Sequence, residues 1–100
     1  MRLTETRKNI IKSQIAVCFG SQARIWLYGS RVDDQMRGGD IDLYIETRLS
    51  KAEAFQQEQQ LYVALQRELG EQRIDIVTHS EGMMLQPIHE AALRTGVQIT

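Results

Sequence analysis

The chain has 100 residues, of which 42% are hydrophobic and 25% charged, and we expect a single small domain over residues 1–100. Its formal net charge of -1 excludes a global basic field that would draw it to nucleic acid or to an anionic membrane. No apolar run approaches the ~18 residues that span a bilayer, and the first residues contain no apolar signal core. With one cysteine, an internal disulfide is excluded, and we expect a cytoplasmic protein.

The first half of the chain predicts one helix followed by two strands. Apolar residues at helical spacing indicate a helix from about Thr4 to Phe19, with Thr4 as its cap and Gly20 after its end. The β-rich run Arg24–Tyr28 predicts a buried strand, and Ile41–Glu46 predicts a second one. The polar segment between the two strands is too short for a crossover helix, so we expect them to pair antiparallel.

A long helix is predicted after the second strand. Ser50-Lys51-Ala52-Glu53 has the pattern of a capping box, and Gly70 follows the last apolar residue of the segment. The expected apolar face of this helix consists of Phe55, Tyr62, Leu65 and Leu69.

The remaining residues predict a third strand, a last helix and a short extended end. Arg73–Thr78 alternates as a strand does, and a helix is expected from Met84 or Pro87 to Thr95. Residues 97–100 are expected to form a short strand or an extended tail. The order is α-β-β-α-β-α, which predicts an α+β fold with helices packed on one small mixed β-sheet.

Three aspartates are candidate ligands of a metal ion. Asp40 and Asp42 are two positions apart, so they project from one face of the second strand, ~6.6 Å apart, with the apolar residues on the other face. Asp75 alternates with two isoleucines in the third strand. It would join Asp40 and Asp42 in one site if the second and third strands are adjacent. Three carboxylates in one site repel each other, and a pair of Mg²⁺ ions ~4 Å apart would relieve that repulsion.

The end of the first strand has features of a phosphate-binding segment. Gly29 directly after a buried strand lets the backbone come close to a ligand, and Ser30 begins a polar segment with a hydroxyl and backbone N–H groups. Arg31 can add charge-assisted hydrogen bonds to a phosphate. We therefore expect Gly29, Ser30 and Arg31 to bind phosphate beside the acidic strand.

The stretch YGSRVDDQMRGGDIDLYIE, followed by RIDIV, resembles the hallmark of the DNA polymerase beta superfamily of nucleotidyltransferases, in particular its minimal members. That hallmark is Gly-Ser, a short loop, Asp-x-Asp and a third carboxylate on a later strand. The resemblance covers essentially the whole chain and implies the nucleotidyltransferase fold. The segment Val32-Asp33-Asp34 stands where many relatives carry Ala-Arg-Gly, in a loop shorter than usual, which leaves the substrate preference open.

The same resemblance implies a role for each motif residue. Gly29 and Ser30 would hold the phosphates of ATP, and Asp40 and Asp42 would bind the Mg²⁺ ions. Asp75 would complete the metal site and help to deprotonate an acceptor hydroxyl. The implied reaction transfers AMP to that hydroxyl, and pyrophosphate leaves.

A protein partner is also implied by the resemblance. Minimal nucleotidyltransferases are often encoded beside a small helical HEPN protein, which can be a toxic RNase, and as antitoxins they add AMP to a tyrosine of that toxin. We therefore expect a toxin–antitoxin system and a homo- or hetero-oligomer. Two alternatives stay open: a non-catalytic antitoxin that masks its partner, and a small-molecule nucleotidyltransferase that needs a separate substrate-binding subunit. The acceptor and the nucleotide base are not specified.

Residues outside these motifs predict structural roles. His79 and His89 lack a partner at metal-ligand spacing, which favours surface or helix-end positions. Met83-Met84-Leu85 fits either a partner-binding surface or local core packing, and the second is favoured.

Overall fold

The structure, a computed structural model, describes residues 4–28 and 41–100. In chain order the elements are α1 (Glu5–Phe19), β1 (Arg24–Tyr28), β2 (Ile41–Thr47), α2 (Lys51–Leu69), β3 (Ile74–Ser80), α3 (Pro87–Thr95) and β4 (Val97–Gln98). Within the described ranges, the protein is thus a small α+β structure with three helices and a four-stranded mixed sheet. None of the helices in these ranges is long and apolar enough to cross a membrane.

The strands lie in the order β3-β2-β1-β4. The inner strand β1 is antiparallel to both β2 and β4, which confirms the predicted pairing of the first two strands. The pair β2–β3 is parallel, because α2 carries the chain back across the sheet between them. One edge of the sheet is therefore β3, and the opposite edge is the short strand β4.

The core lies between one face of the sheet and the helices α1 and α2. Ile41, Leu43 and Ile45 alternate along β2 and are 0% exposed, as expected for the apolar face of that strand. They pack with residues of the two helices, which include Ile11, Ile15, Leu61 and Leu65. The opposite face of the sheet carries Asp42 and Asp75 and is covered in part by α3.

The buried face of α2 differs from the predicted one. Leu65 and Leu69 are buried as expected, but Phe55 is 61% exposed and Tyr62 is 44% exposed. The helix instead buries Ala54, Leu61 and Ala64 with the two leucines. Because consecutive residues are ~100° apart around a helix, Phe55 points away from the core that its neighbour Ala54 contacts.

Several boundaries also moved. β2 extends one residue further than predicted, to Thr47, whose carbonyl accepts a hydrogen bond from the amide of Glu81 (2.9 Å). β3 begins at Ile74 and continues to Ser80, two residues beyond the predicted end, because it pairs with β2 along its whole length, up to Thr47 and Ser80. The last helix begins at Pro87, the second of the two predicted starts.

Candidate functional site

Three side chains from neighbouring strands form one row across the sheet, which we call the acidic row: Tyr28, Asp42 and Asp75. Tyr28 is the Cα partner of Asp42 in the β1–β2 pair, and Asp42 is the Cα partner of Asp75 in the β2–β3 pair. Partner residues project from the same face, and adjacent strands lie ~4.8 Å apart. The two carboxylates are therefore neighbours on the sheet face opposite the core, as the sequence required for a shared site.

The hydroxyl of Tyr28 is affected by the charges of both carboxylates in the row. Tyr28 is half-buried, and burial is the main cause that raises the pKa of its hydroxyl, with the charges of Asp42 and Asp75 raising it further. The phenol consequently stays protonated at neutral pH and can donate a hydrogen bond. Sequence reasoning missed Tyr28, although its place at the end of an antiparallel hairpin strand was a signal that it would pair with Asp42.

Asp75 is the accessible member of the row. Its side chain is exposed, whereas Asp42 is half-buried between its two partners. Asp42 lies between Ile41 and Leu43, which are both fully buried, but the alternation stops at Tyr44, which shares the face of Asp42 and is also 0% exposed. A ligand that approaches this face from solvent therefore meets Asp75 first.

The other predicted site residues, Gly29, Ser30, Arg31 and Asp40, lie outside the described residues. The covalent chain still ties them to the acidic row. Gly29 is bonded to Tyr28, and Asp40 is bonded to Ile41, which precedes Asp42.

The described donor atoms suit a hard cation but are few. Within residues 4–28 and 41–100, no group of three or more His, Cys, Asp or Glu side chains is placed to hold a metal ion. The described set is the pair Asp42 and Asp75, which supplies carboxylate oxygens only. Mg²⁺ is commonly bound through one or two carboxylates, with water and substrate phosphates as its other ligands. The residues present therefore fit Mg²⁺ in their chemistry.

Beyond the acidic row, α3 covers the same sheet face. Tyr44 is 0% exposed, and its ring lies 5.3 Å from that of Trp26 and 5.8 Å from that of His89. Its hydroxyl donates a hydrogen bond to Glu46 Oε2 (3.3 Å), and burial raises its pKa. This aromatic cluster joins α3 to the sheet next to the acidic row.

The two histidines pack against each other under the start of α3. His79 is only 8% exposed, so the predicted surface position is wrong; β3 is longer than predicted and carries it inward. Its ring lies 5.0 Å from that of His89, and its Nε2 donates a hydrogen bond to the carbonyl oxygen of Met83 (2.8 Å). His89 occupies the first turn of α3, which agrees with the predicted helix-end role.

Hydrogen bonds define the tautomer of His89. Its Nδ1 accepts from the amide of Gln86 (2.9 Å), so its Nε2 carries the proton and donates to the carbonyl of Thr78 (3.1 Å). Burial and the neighbouring His79 lower the pKa of His89, against a smaller opposite effect of the Thr78 carbonyl. The neutral ring thus caps α3 and links it to β3.

The architecture and the acidic row define a small α+β protein with paired carboxylates on one sheet face. A scan of the chain against protein-family models gives no match, and a search of the curated proteins gives none either. A functional assignment therefore depends on the geometry of the row and on the motifs that flank it.

Proposed function

We propose that this protein is a metal-dependent nucleotidyltransferase of the DNA polymerase beta type, which transfers AMP from ATP to an acceptor hydroxyl. The observation that carries the proposal is the pairing of Asp42 with Asp75 across adjacent parallel strands, on the face opposite the core. The α-β-β-α-β-α order of the first six elements is compatible with the nucleotidyltransferase fold that the motifs imply.

Each carboxylate has a proposed role. Asp40, Asp42 and Asp75 would hold a pair of Mg²⁺ ions, which when bound neutralise phosphate charge and activate the attacking oxygen. Asp75, the exposed member, is the proposed acceptor of the proton from the attacking hydroxyl. Tyr28 is proposed to orient the carboxylates by donating a hydrogen bond from its protonated phenol.

The phosphate-binding role is assigned to Gly29, Ser30 and Arg31. Ser30 follows Tyr28 by two positions in the sequence, so the proposed phosphate-binding segment comes directly after the β1 residue of the acidic row. In the reaction the acceptor oxygen forms a bond to the α-phosphorus of ATP, and the bond to the pyrophosphate oxygen breaks. The proton of the acceptor passes to the Asp75 carboxylate. Positioning and charge neutralisation supply most of the rate enhancement in such a transfer.

The proposed acceptor is a tyrosine of a HEPN-type helical partner, in a cytoplasmic toxin–antitoxin pair. Exposed apolar side chains support contact with another protein: Phe55, Met83, Met84 and Ile88 are between 47% and 82% exposed. Such a partner would supply acceptor and binding surface together.

The test first identifies the product of the adjacent gene and, where it is a HEPN-type protein, uses it in a transfer assay with Mg²⁺ and ATP labelled at the α-phosphate. We expect label on the partner, and a loss of at least ~100-fold in the Asp42→Asn and Asp75→Asn variants. Glu90→Gln, which removes an exposed carboxylate from the first turn of α3, is the matched control and should retain full transfer. If wild type and Asp42→Asn both bind and neutralise the partner without labelling it, the protein is a binding antitoxin instead.

A further inference from the structure

A groove of about 410 Å³ follows the free edge of β3, and we call it the β3 groove. One wall is formed by α2, and the other by the segment that connects β3 to α3 together with the first turn of α3. The lining side chains that matter here are Lys51, Phe55 and Glu58 on α2 and Met83, Met84 and His89 on the opposite wall. The floor is the outer edge of β3 from Ile76 to Ser80.

The groove presents apolar side chains to solvent. Phe55 is 61% exposed on one wall, while Met83 and Met84 are 55% and 82% exposed on the other. The favoured prediction of local core packing for the methionines is therefore wrong, and the partner-binding alternative remains. Methionine side chains adapt their shape to a partner, so the second wall is suited to apolar residues of different forms.

The floor of the groove has backbone N–H and C=O groups that point away from β2. The amide of Ile41 donates to the carbonyl of Arg73 (2.9 Å), so odd-numbered residues of β3 direct their backbone groups to β2. Even-numbered residues face the free edge, where the carbonyl of Thr78 already accepts from His89. By the same alternation the amide and carbonyl of Ile76 face the groove. An added strand can form hydrogen bonds there, and a compact small molecule would use this edge less well.

The groove has a cation without an ion-pair partner among the described residues at one end, and a carboxylate further along the same wall. Glu58, about two helical turns from Lys51, accepts a hydrogen bond from Thr78 Oγ1 (2.6 Å), so one of its oxygens already has a partner within the protein. Lys51, in contrast, forms no ion pair with any residue in 4–28 or 41–100, and its side chain is exposed. The complementary group on an occupant is therefore an acidic side chain near Lys51.

The spacing of the two anchors matches an extended peptide. Lys51 and Phe55 are one helical turn apart on α2, a rise of ~6 Å. Alternate residues of a strand lie ~6.6 Å apart on one face. We propose that the β3 groove binds an extended peptide segment of a partner protein, added as a strand at Ile76, with an apolar residue at Phe55 and Met84 and an acidic residue two positions away at Lys51. This binding does not depend on the proposed transfer reaction.

The probes are fluorescent octapeptides with blocked ends and a serine–threonine background, which carry Leu-x-Glu in one peptide and Glu-x-Leu in another. Fluorescence anisotropy without ATP or Mg²⁺ should show that one of the two binds. Replacing its glutamate with lysine should weaken binding about fivefold, the upper end of the effect of one exposed ion pair. The Lys51→Glu variant should reverse this preference. The substitution is harmless to folding because acidic residues are favourable in the first turn of a helix.

Variants of the walls test the apolar anchor. Phe55→Ser and Met84→Ser should each weaken binding about tenfold, since both remove apolar contact area. Val63→Ser is the control: Val63 is 58% exposed on α2 but does not line the groove, so binding should be unchanged. N-methylation of alternate peptide amides should abolish binding in the register that pairs with Ile76.

Three results would overturn the proposal. The first is that neither peptide binds, and the second is that Lys51→Glu leaves the charge preference as it was. The third is that 4-phenylbutyrate binds as tightly as the peptides while N-methylation has no effect, which would make the groove a site for small amphiphilic carboxylates. Failure of the transfer assay alone would leave this binding intact.

Discussion

Asp42 on β2 and Asp75 on β3 are Cα partners in a parallel ladder, so their carboxylates project side by side from one face of the sheet. The register is held on the core side, where Ile41 and Ile74 are also partners and both are buried. A slip of one residue would turn Asp75 into the core and Ile74 out of it, which makes the slipped register very costly. The apolar face of the two strands thereby determines the geometry of the acidic face.

Paired carboxylates at this spacing should bind a divalent cation whether or not transfer occurs. We expect that Mn²⁺, added to isotope-labelled protein, selectively broadens the amide resonances of Tyr28, Asp42 and Asp75. Asp42→Asn should weaken this binding at least about tenfold, since it removes one charged oxygen ligand.

The control for the cation experiment is Glu81→Gln. Glu81 forms an exposed ion pair with Arg48 (3.7 Å), away from the acidic row, and its loss should leave the broadening pattern unchanged. Uniform broadening over many surface carboxylates would contradict a specific site.

Gly96 supports Tyr28 by close packing. Its φ of −84° is open to any residue, but a Cβ at this position would overlap the carbonyl oxygen of Ala92 and lie 3.2 Å from the Tyr28 Cβ. We expect Gly96→Ala to lower the free energy of unfolding by about 1–3 kcal/mol. It should also shift the NMR signals of Tyr28.

Gly70→Ala is the control that distinguishes local backbone strain from the close packing of Gly96 against Tyr28. Gly70 has a φ of +86° with no atom near its missing Cβ, so alanine there strains the backbone locally. It should cost about 1 kcal/mol without any change at Tyr28. Equal shifts at Tyr28 in both variants would show that the packing of Gly96 is not the cause.

His89 should make the protein less stable in mild acid. Its folded-state pKa is lowered below the ordinary value of about 6.5, so the unfolded chain binds more protons between these two pKa values. The stabilisation is full above about pH 6.5 and is lost as the pH falls through the folded-state pKa. Protonation of Nδ1 also breaks the hydrogen bond from the Gln86 amide.

The measurement is the melting temperature between pH 7.5 and pH 5, for wild type and for His89→Gln. Glutamine keeps one donor and one acceptor but does not titrate in this range. The melting temperature of wild type should fall more steeply with acid than that of the variant. Parallel profiles would mean that His89 does not contribute to the pH dependence.

Shortening a buried side chain of α2 should lower the free energy of unfolding much more than shortening an exposed one. Leu61 is 0% exposed on α2, and Leu61→Ala should lower the free energy of unfolding in urea by about 3 kcal/mol. Val63→Ala, two residues further on the exposed side of the same helix, should change it by less than about 0.5 kcal/mol. Similar losses for both would contradict the orientation of α2.

Local features of this protein were predictable from the sequence. The capping box at Ser50 and Glu53, with reciprocal hydrogen bonds of 3.2 Å and 3.1 Å, forms as its residue types predicted. The strand Arg24–Tyr28 has the predicted bounds, and the alternation around Asp42 predicted which face would be buried. These features depend on neighbours within a few residues, so composition and spacing suffice to predict them.

Tertiary structure alone decided which distant residues meet. The sequence placed Asp75 on a strand, but only the parallel register made it the partner of Asp42, because that register depends on packing of α2 over both strands. Burial of His79 and exposure of Phe55 likewise depend on where α3 and β3 lie. The sequence around each of these residues is compatible with either a buried or an exposed side chain. Pairing and burial at these positions are determined by the free energy of packing between elements that are far apart in the chain. A local sequence pattern gives no information about that packing.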